Sequence, residues 1–118
     1  MDAEPNQPLP RETLRTLLDA DELTRSAHLR TVVPAVHWDR LVFCIKESVY
    51  KAWSTHTDQW LDFADADVTP ATGGTFTARL RVTSPGPLPQ SISGRWACRG
   101  GLLLTVVALD HSGQPVTT

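Results

Sequence analysis

The side chains with chemical capacity gather in one short run, Lys46-Glu47-Ser48-Val49-Tyr50-Lys51. At helical spacing Glu47 and Lys51 are i, i+4 neighbours on one face. Lys46 sits beside Glu47 and four residues before Tyr50, which leaves Ile45 and Val49 for the core. A carboxylate among ammonium groups is equipment for moving protons and neutralising charge. The same spacing describes an ordinary solvated helix stripe with a weak Glu–Lys pair, and spacing alone favours that plainer reading. Asp2 and Glu4 are a second acidic pair, at the i, i+2 spacing that puts two carboxylates on one side of an extended segment. Taken alone they equally fit a frayed polar terminus.

Other candidates carry less. His28, His37, His56 and His111 are scattered with no i, i+4 pair, and Cys44 and Cys98 form no CxxC, so a zinc site and a disulfide framework are not indicated. Ser48 lacks the G-x-S-x-G elbow of a hydrolase nucleophile. Trp38, Trp53, Trp60 and Trp96 read as packing anchors rather than a base-stacking platform. Gly73-Gly74 and Gly100-Gly101 precede no helix pattern and read as turns, not phosphate cradles.

The elements that must position these residues follow from periodicity. Trp38, Leu41, Val42, Ile45, Val49, Ala52 and Trp53 keep the i, i+3, i+4, i+7 rule without Gly or Pro, which predicts a long helix over 37–53. Residues 10–29 predict two short helices or one bent one, with Val32 to Val36 as a connector. Alternation of Phe76, Ala78, Leu80 and Val82 with Thr75, Thr77, Arg79 and Arg81 predicts a half-buried strand. The proline-rich stretch 83–90 is a loop, and strands over 92–98 and 102–109 flank the Arg99-Gly100-Gly101 turn of a hairpin. Asp65 to Thr69 adds a short strand. Helices followed by strands predict an α+β domain in which the long helix packs on a small antiparallel sheet.

Composition sets the outer bounds. At 118 residues the chain is one domain, and 41% hydrophobic with 20% charged residues is an ordinary globular balance. Eleven basic against thirteen acidic residues, with no like-charge run, argue against nucleic acid or an anionic membrane as partner. No apolar stretch reaches the length of a membrane span, and the opening Met-Asp-Ala-Glu-Pro-Asn is acidic where a signal peptide is basic and then apolar. The expectation is a cytoplasmic chain.

The order of the pieces adds more than their spacing. Phe43-Cys44-Ile45-Lys46-Glu47-Ser48-Val49-Tyr50-Lys51-Ala52-Trp53, preceded by His37-Trp38-Asp39-Arg40, resembles the signature helix of the 4′-phosphopantetheinyl transferases, with its W/F-x-x-K-E-[SA]-x-x-K pattern. Asp2-Ala3-Glu4-Pro5-Asn6-Gln7-Pro8-Leu9-Pro10 resembles the D-x-E motif of the larger, surfactin-type enzymes and the proline-rich segment after it. The resemblance extends through Trp60-Leu61-Asp62-Phe63 and Gly94-Arg95-Trp96. It covers the C-terminal half of that family's usual length, with Ile45 in place of the small residue usual before the K-E pair.

The resemblance implies half of a pseudodimeric fold over residues 1–118, with the family's N-terminal half absent. It implies transfer of the 4′-phosphopantetheine arm of coenzyme A to a serine of an acyl or peptidyl carrier protein. Asp2, Glu4 and Glu47 match the acidic positions that hold Mg²⁺, with Glu47 as base or its orienter. Lys46 and Lys51 match the lysines that neutralise phosphate, Lys51 being better placed to assist the leaving group. The segment from Arg11 to Arg30 falls where the family meets its carrier protein, with Arg11, Arg15, Arg25 and Arg30 expected to be exposed. In size the chain resembles the short holo-acyl-carrier-protein synthases, which build the site between subunits, so a homo-oligomer or a partner N-terminal half is expected. The alternative is a truncated or degenerate domain that keeps the fold, and metal or carrier binding, without turnover.

Overall fold

The structure, a computed structural model, describes residues 1–82 and 89–108. In chain order the elements are β1 (Asp2–Pro5), α1 (Arg11–Leu17), α2 (Ala20–Val32), α3 (Trp38–His56), β2 (Ala66–Pro70), β3 (Thr75–Leu80), β4 (Ser91–Arg99) and β5 (Leu102–Val107), with one 3-10 turn at Phe63–Asp65. The strands form a single antiparallel sheet in the order β1-β5-β4-β3-β2. Helix α3 lies on its inner face and touches β1, β2, β3 and β5. This is the α+β architecture expected from the sequence.

Each element has a local cause. The stripe Leu41, Val42, Ile45, Val49 and Trp53 is fully buried and meets Val68, Phe76, Ala78, Ile92 and Leu103 from the sheet in one core. Burial on that scale, at about 1.5–3 kcal/mol per large apolar side chain, is what fixes α3 to the sheet. The helical region before it divides at Leu18, which is extended, because Asp19 caps α2: its Oδ1 accepts from Glu22 N at 2.8 Å and Glu22 Oε1 accepts from Asp19 N at 3.0 Å. Gly100 and Gly101, at φ 57° and 78°, make the tight β4–β5 turn that a side chain would strain. Gly94 is required for a different reason: a Cβ there would lie 2.2 Å from the Val106 carbonyl and 2.3 Å from the Phe76 ring.

Boundaries moved where side chains are used elsewhere. Asp65 is taken by the 3-10 turn, so β2 starts at Ala66, and β3 ends at Leu80 because Arg81 N turns to the Asp65 carbonyl at 2.7 Å. The proline-rich loop at 83–88, the end of the last strand at Leu109 and His111 lie outside the described residues. Asp2 and Glu4 do not fray: they sit in β1, an edge strand paired with β5 through Asp2↔Thr105 and Glu4↔Leu103. All four indole nitrogens find a carbonyl or carboxylate, but only Trp38 and Trp53 are buried, while Trp60 is 73% exposed.

Candidate active site

Alternation along β1 turns Asp2 and Glu4 toward α3 and leaves Ala3 and Pro5 outside. Helix α3 brings the remaining groups to the same edge. Lys51 does not pair with Glu47 as an i, i+4 neighbour; its Nζ donates to Asp2 Oδ1 at 2.8 Å. Arg40 donates to Glu4 Oε1 at 2.9 Å and to the Gln7 and Pro8 carbonyls at 3.1 Å each, which clamps the chain leaving β1 onto α3. Glu47 is half-buried and accepts no hydrogen bond from any described side chain. Burial, then the charge of Asp2, push Glu47 above its ordinary value; Glu4 adds to the rise and Lys51 opposes it. Glu47 therefore feels the charges of Asp2 and Glu4 across this edge.

One atom there has no protein partner. Asp2 Oδ2 is buried and unbonded, and a buried carboxylate oxygen without a donor is costly enough to require an explanation. Asp2 lies close to Cys44, whose thiol is pushed up to about 12 by burial, with Thr105 opposing the rise and the charge of Asp2, a hydrogen-bonding contact with Asp2 and the charge of Glu4 adding to it. Cys44 thus stays an S–H donor, a small buried group.

Lys46 is the correction. The sequence placed it on the polar face beside Glu47, but its side chain is only 2% exposed and its Nζ donates to Leu17 O at 2.9 Å, Glu22 Oε1 at 2.9 Å and Phe63 O at 2.7 Å. Adjacent helix positions differ by 100°, which carries Lys46 out of the carboxylate edge and under the junction of α1, α2 and the 3-10 turn. Its three protons have three acceptors. Glu22 is satisfied as well, taking Asp19 N and Lys46 on Oε1 and Val68 N on Oε2 at 2.9 Å. The sequence reading missed Glu22; its signal was the acidic residue three positions after the cap Asp19.

Lys46 also lines a cavity of about 220 Å³ with mostly apolar walls: Tyr50, Trp60, Leu61, Asp62, Phe63 and Ala66. Tyr50 and Trp60 meet edge to face with centroids 5.9 Å apart. Tyr50 is one helical turn beyond Glu47, so the cavity flanks the carboxylate edge.

The arginines of the α1–α2 segment divide. Arg11, Arg15 and Arg30 are exposed as expected, Arg30 reaching the Val36 carbonyl and His37 Nδ1, but Arg25 turns inward to Asp67 and the Val68 carbonyl. Asp67 can reach a carboxylate because β2 carries it alongside α2. Asp19, Glu22 and Asp67 are the one carboxylate group among the described residues with ligand atoms all within 4.8 Å of one another. Each faces a cation, Asp19 with Arg81, Glu22 with Lys46 and Asp67 with Arg25, and Glu22 is sealed from water with both oxygens hydrogen-bonded, so this is an ion-pair network. Burial raises Asp19, but the Glu22 N–H and Arg81 outweigh it and hold the carboxyl below its usual range.

Residues 1–107 match the family described as the 4′-phosphopantetheinyl transferase superfamily. The chain is 44% identical over 113 residues to the 4′-phosphopantetheinyl transferase Svp of Streptomyces mobaraensis, covering 92% of this chain and 46% of that protein. It is 41% identical over 119 residues to the 4′-phosphopantetheinyl transferase PptT of Mycobacterium tuberculosis, covering 92% of this chain and 51% of the relative. With the 4′-phosphopantetheinyl transferase Npt of Nocardia iowensis the identity is 38%, over 92% of this chain and 53% of the relative. The chain thus spans about half the length of the curated relatives it matches.

Proposed function

The chain belongs to the 4′-phosphopantetheinyl transferase superfamily, and from that premise we propose that it carries the metal and phosphate side of a site that moves the 4′-phosphopantetheine arm of coenzyme A onto a serine of an acyl or peptidyl carrier protein. The observation that carries this reading is the buried, unpartnered Asp2 Oδ2 on the edge where Asp2 and Glu4 raise Glu47. Mg²⁺ takes carboxylate oxygens and keeps waters for the rest; Asp2, Glu4 and Glu47 would hold it, closing in from a spacing wider than 4.8 Å as it displaces Lys51 from Asp2 and Arg40 from Glu4. Bound there, it would neutralise charge on a pyrophosphate.

The chain's own groups supply a base and a cation for the leaving group. The serine oxygen bonds to the phosphorus that bears the pantetheine arm, the bond from that phosphorus to 3′,5′-ADP breaks, and the serine proton passes to the Glu47 carboxylate. A carboxylate lifted above its ordinary value is the better base for it. Lys51 Nζ, on a side chain 55% exposed, is the ammonium free to turn from Asp2 to the departing phosphate. Lys46 is spent on its three acceptors, so its part is to form a wall of the Tyr50–Trp60 cavity, whose apolar lining suits the pantetheine arm.

A site for two phosphates, a metal and an incoming serine needs walls on both sides, and one helix face with one edge strand makes a single wall. The outer face of the sheet leaves Leu102 46% and Val106 41% exposed. We infer that the second wall comes from a second copy of the chain or from a partner N-terminal half, and that the exposed outer face favours self-association, which sedimentation at micromolar concentration reads as an oligomer. The same reading puts the chain in the cytoplasm beside coenzyme A, without a nucleic-acid or membrane partner. No helix among the described residues is long and apolar enough to cross a membrane.

The test is mass spectrometry of a carrier protein incubated with the chain, coenzyme A and Mg²⁺. The expected result is gain of one phosphopantetheine group, lost on chelation and in Glu47→Gln. A second reading is a truncated or degenerate domain that keeps the fold and binds metal or carrier without turnover; bound Mn²⁺ with an unmodified carrier is its signature.

A further inference from the structure

We propose that Thr105 is the positioning residue for the Asp2–Glu47 carboxylate pair, its hydroxyl tying α3 to β5 at the level where β1 presents Asp2. The inference rests on the metal reading above and adds what holds that site in shape. Thr105 is 2% exposed, on the inner face of β5, and is the register partner of Asp2. Its Oγ1 meets three atoms, all on α3: Ser48 Oγ at 2.5 Å, Cys44 Sγ at 3.3 Å and the Cys44 carbonyl at 3.2 Å. A hydroxyl offers one donor and two acceptor sites. One assignment uses all three, with Thr105 donating to the Cys44 carbonyl and accepting from the Ser48 hydroxyl and the Cys44 thiol.

Those contacts bracket Glu47. Ser48 follows it and Cys44 lies one turn before it, so the helix segment that aims the Glu47 carboxylate is held at both ends by one atom of β5. The other side of Thr105 belongs to the ladder that carries Asp2. Apolar packing of Leu41, Ile45 and Val49 keeps α3 on the sheet without help, but it is non-directional and permits small slides. Any slide or rotation that parts Glu47 from Asp2 must break three buried hydrogen bonds, which fixes the register where apolar contacts do not. The signal is legible in the strand itself: Leu102-Leu103-Leu104-Thr105-Val106-Val107 is apolar except for one hydroxyl, and that hydroxyl faces inward.

The experiment is Mn²⁺ binding to the whole 118-residue chain, followed by electron paramagnetic resonance, in wild type, Glu47→Gln, Thr105→Val and Thr105→Ser. Valine keeps the shape and removes all three bonds, whereas serine keeps the hydroxyl. Thr105→Val is expected to weaken Mn²⁺ binding about tenfold or more, the usual effect of losing an outer-shell support, while Thr105→Ser stays within about twofold of wild type. A folded Thr105→Val chain with wild-type affinity overturns the inference. Should that variant not fold, Ser48→Ala removes one bond of the three and is expected to weaken binding by a smaller factor; unchanged affinity there overturns it equally. Wild-type binding that is absent, or untouched by Glu47→Gln, takes down the metal reading and this inference together. Loss in Glu47→Gln without loss in Thr105→Val takes down this inference alone.

Discussion

Lys46 and Glu47 are adjacent in the chain, yet they end in two clusters of opposite character. Around Lys46 every donor and acceptor is used: three bonds from the ammonium, three to Glu22, and both side chains sealed from water. Around Glu47 the accounts stay open, with an unbonded Asp2 oxygen, an unbonded Glu47 carboxylate, and Asp2 and Glu4 paired with Lys51 and Arg40, which a metal cation could displace. A closed cluster stabilises one conformation and has nothing left for a ligand. An open cluster is costly to the folded chain and has capacity to bind. The two sit on one helix because a step of 100° separates a buried flank from a sheet edge.

The largest expected effect breaks the closed side. Lys46→Ala leaves Glu22 charged and buried without its cation, and removing one partner of a buried ion pair costs about 3–5 kcal/mol. Urea denaturation should show the loss, with the cavity at Tyr50 and Trp60 losing a wall; a cost below about 1 kcal/mol would mean that the cluster is not sealed as described.

Breaking the open side should do the reverse. Glu47→Gln is expected to abolish Mn²⁺ binding and to leave stability at neutral pH unchanged or raised by about 0.5 kcal/mol, since an uncompensated charge is removed. The pH dependence follows from the raised Glu47. In the window above its ordinary value of 4.5 the folded chain holds more protons than the unfolded one, so wild-type stability falls relative to the variant as pH rises through that window. Below it the two converge. Denaturation midpoints measured across pH 3 to 8 that diverge instead toward acid would contradict the assignment.

The smallest effects sharpen the comparison at the surface. Arg11→Glu with Arg15→Glu should weaken carrier-protein binding by a few-fold at low salt and less at high salt, because exposed charges steer encounter more than they hold it. Fold stability should not move. Binding that is insensitive to both salt and the double substitution would remove the electrostatic part of the docking proposal.

Much of this was legible in the sequence, for reasons that also mark its limits. The α3 stripe and the β4–β5 hairpin are local patterns, so periodicity finds them. Lys46 misled because its burial depends on acceptors at Leu17, Glu22 and Phe63, none of which its own helix supplies. Asp2 and Glu4 left strand and frayed end undecided, since the partner that decides is β5, far along the chain. Trp60 reads in sequence as one more packing anchor, and only its place beside Tyr50, lining a cavity, separates it from the others.

The pairing of β1 with β5 also has a bearing on the order in which the molecule assembles. Asp2 meets Thr105 from the opposite end of the described chain, so the contact closes a long loop and gains little until β3, β4 and β5 have formed. Four residues on an edge then remain the easiest part of the sheet to open. The carboxylate site is therefore the last feature to appear on folding and the first to be lost, and a bound divalent ion would act as a latch on it. Amide hydrogens of Ala3 and Glu4 would exchange more slowly as metal concentration rises, while those of α3 would not respond.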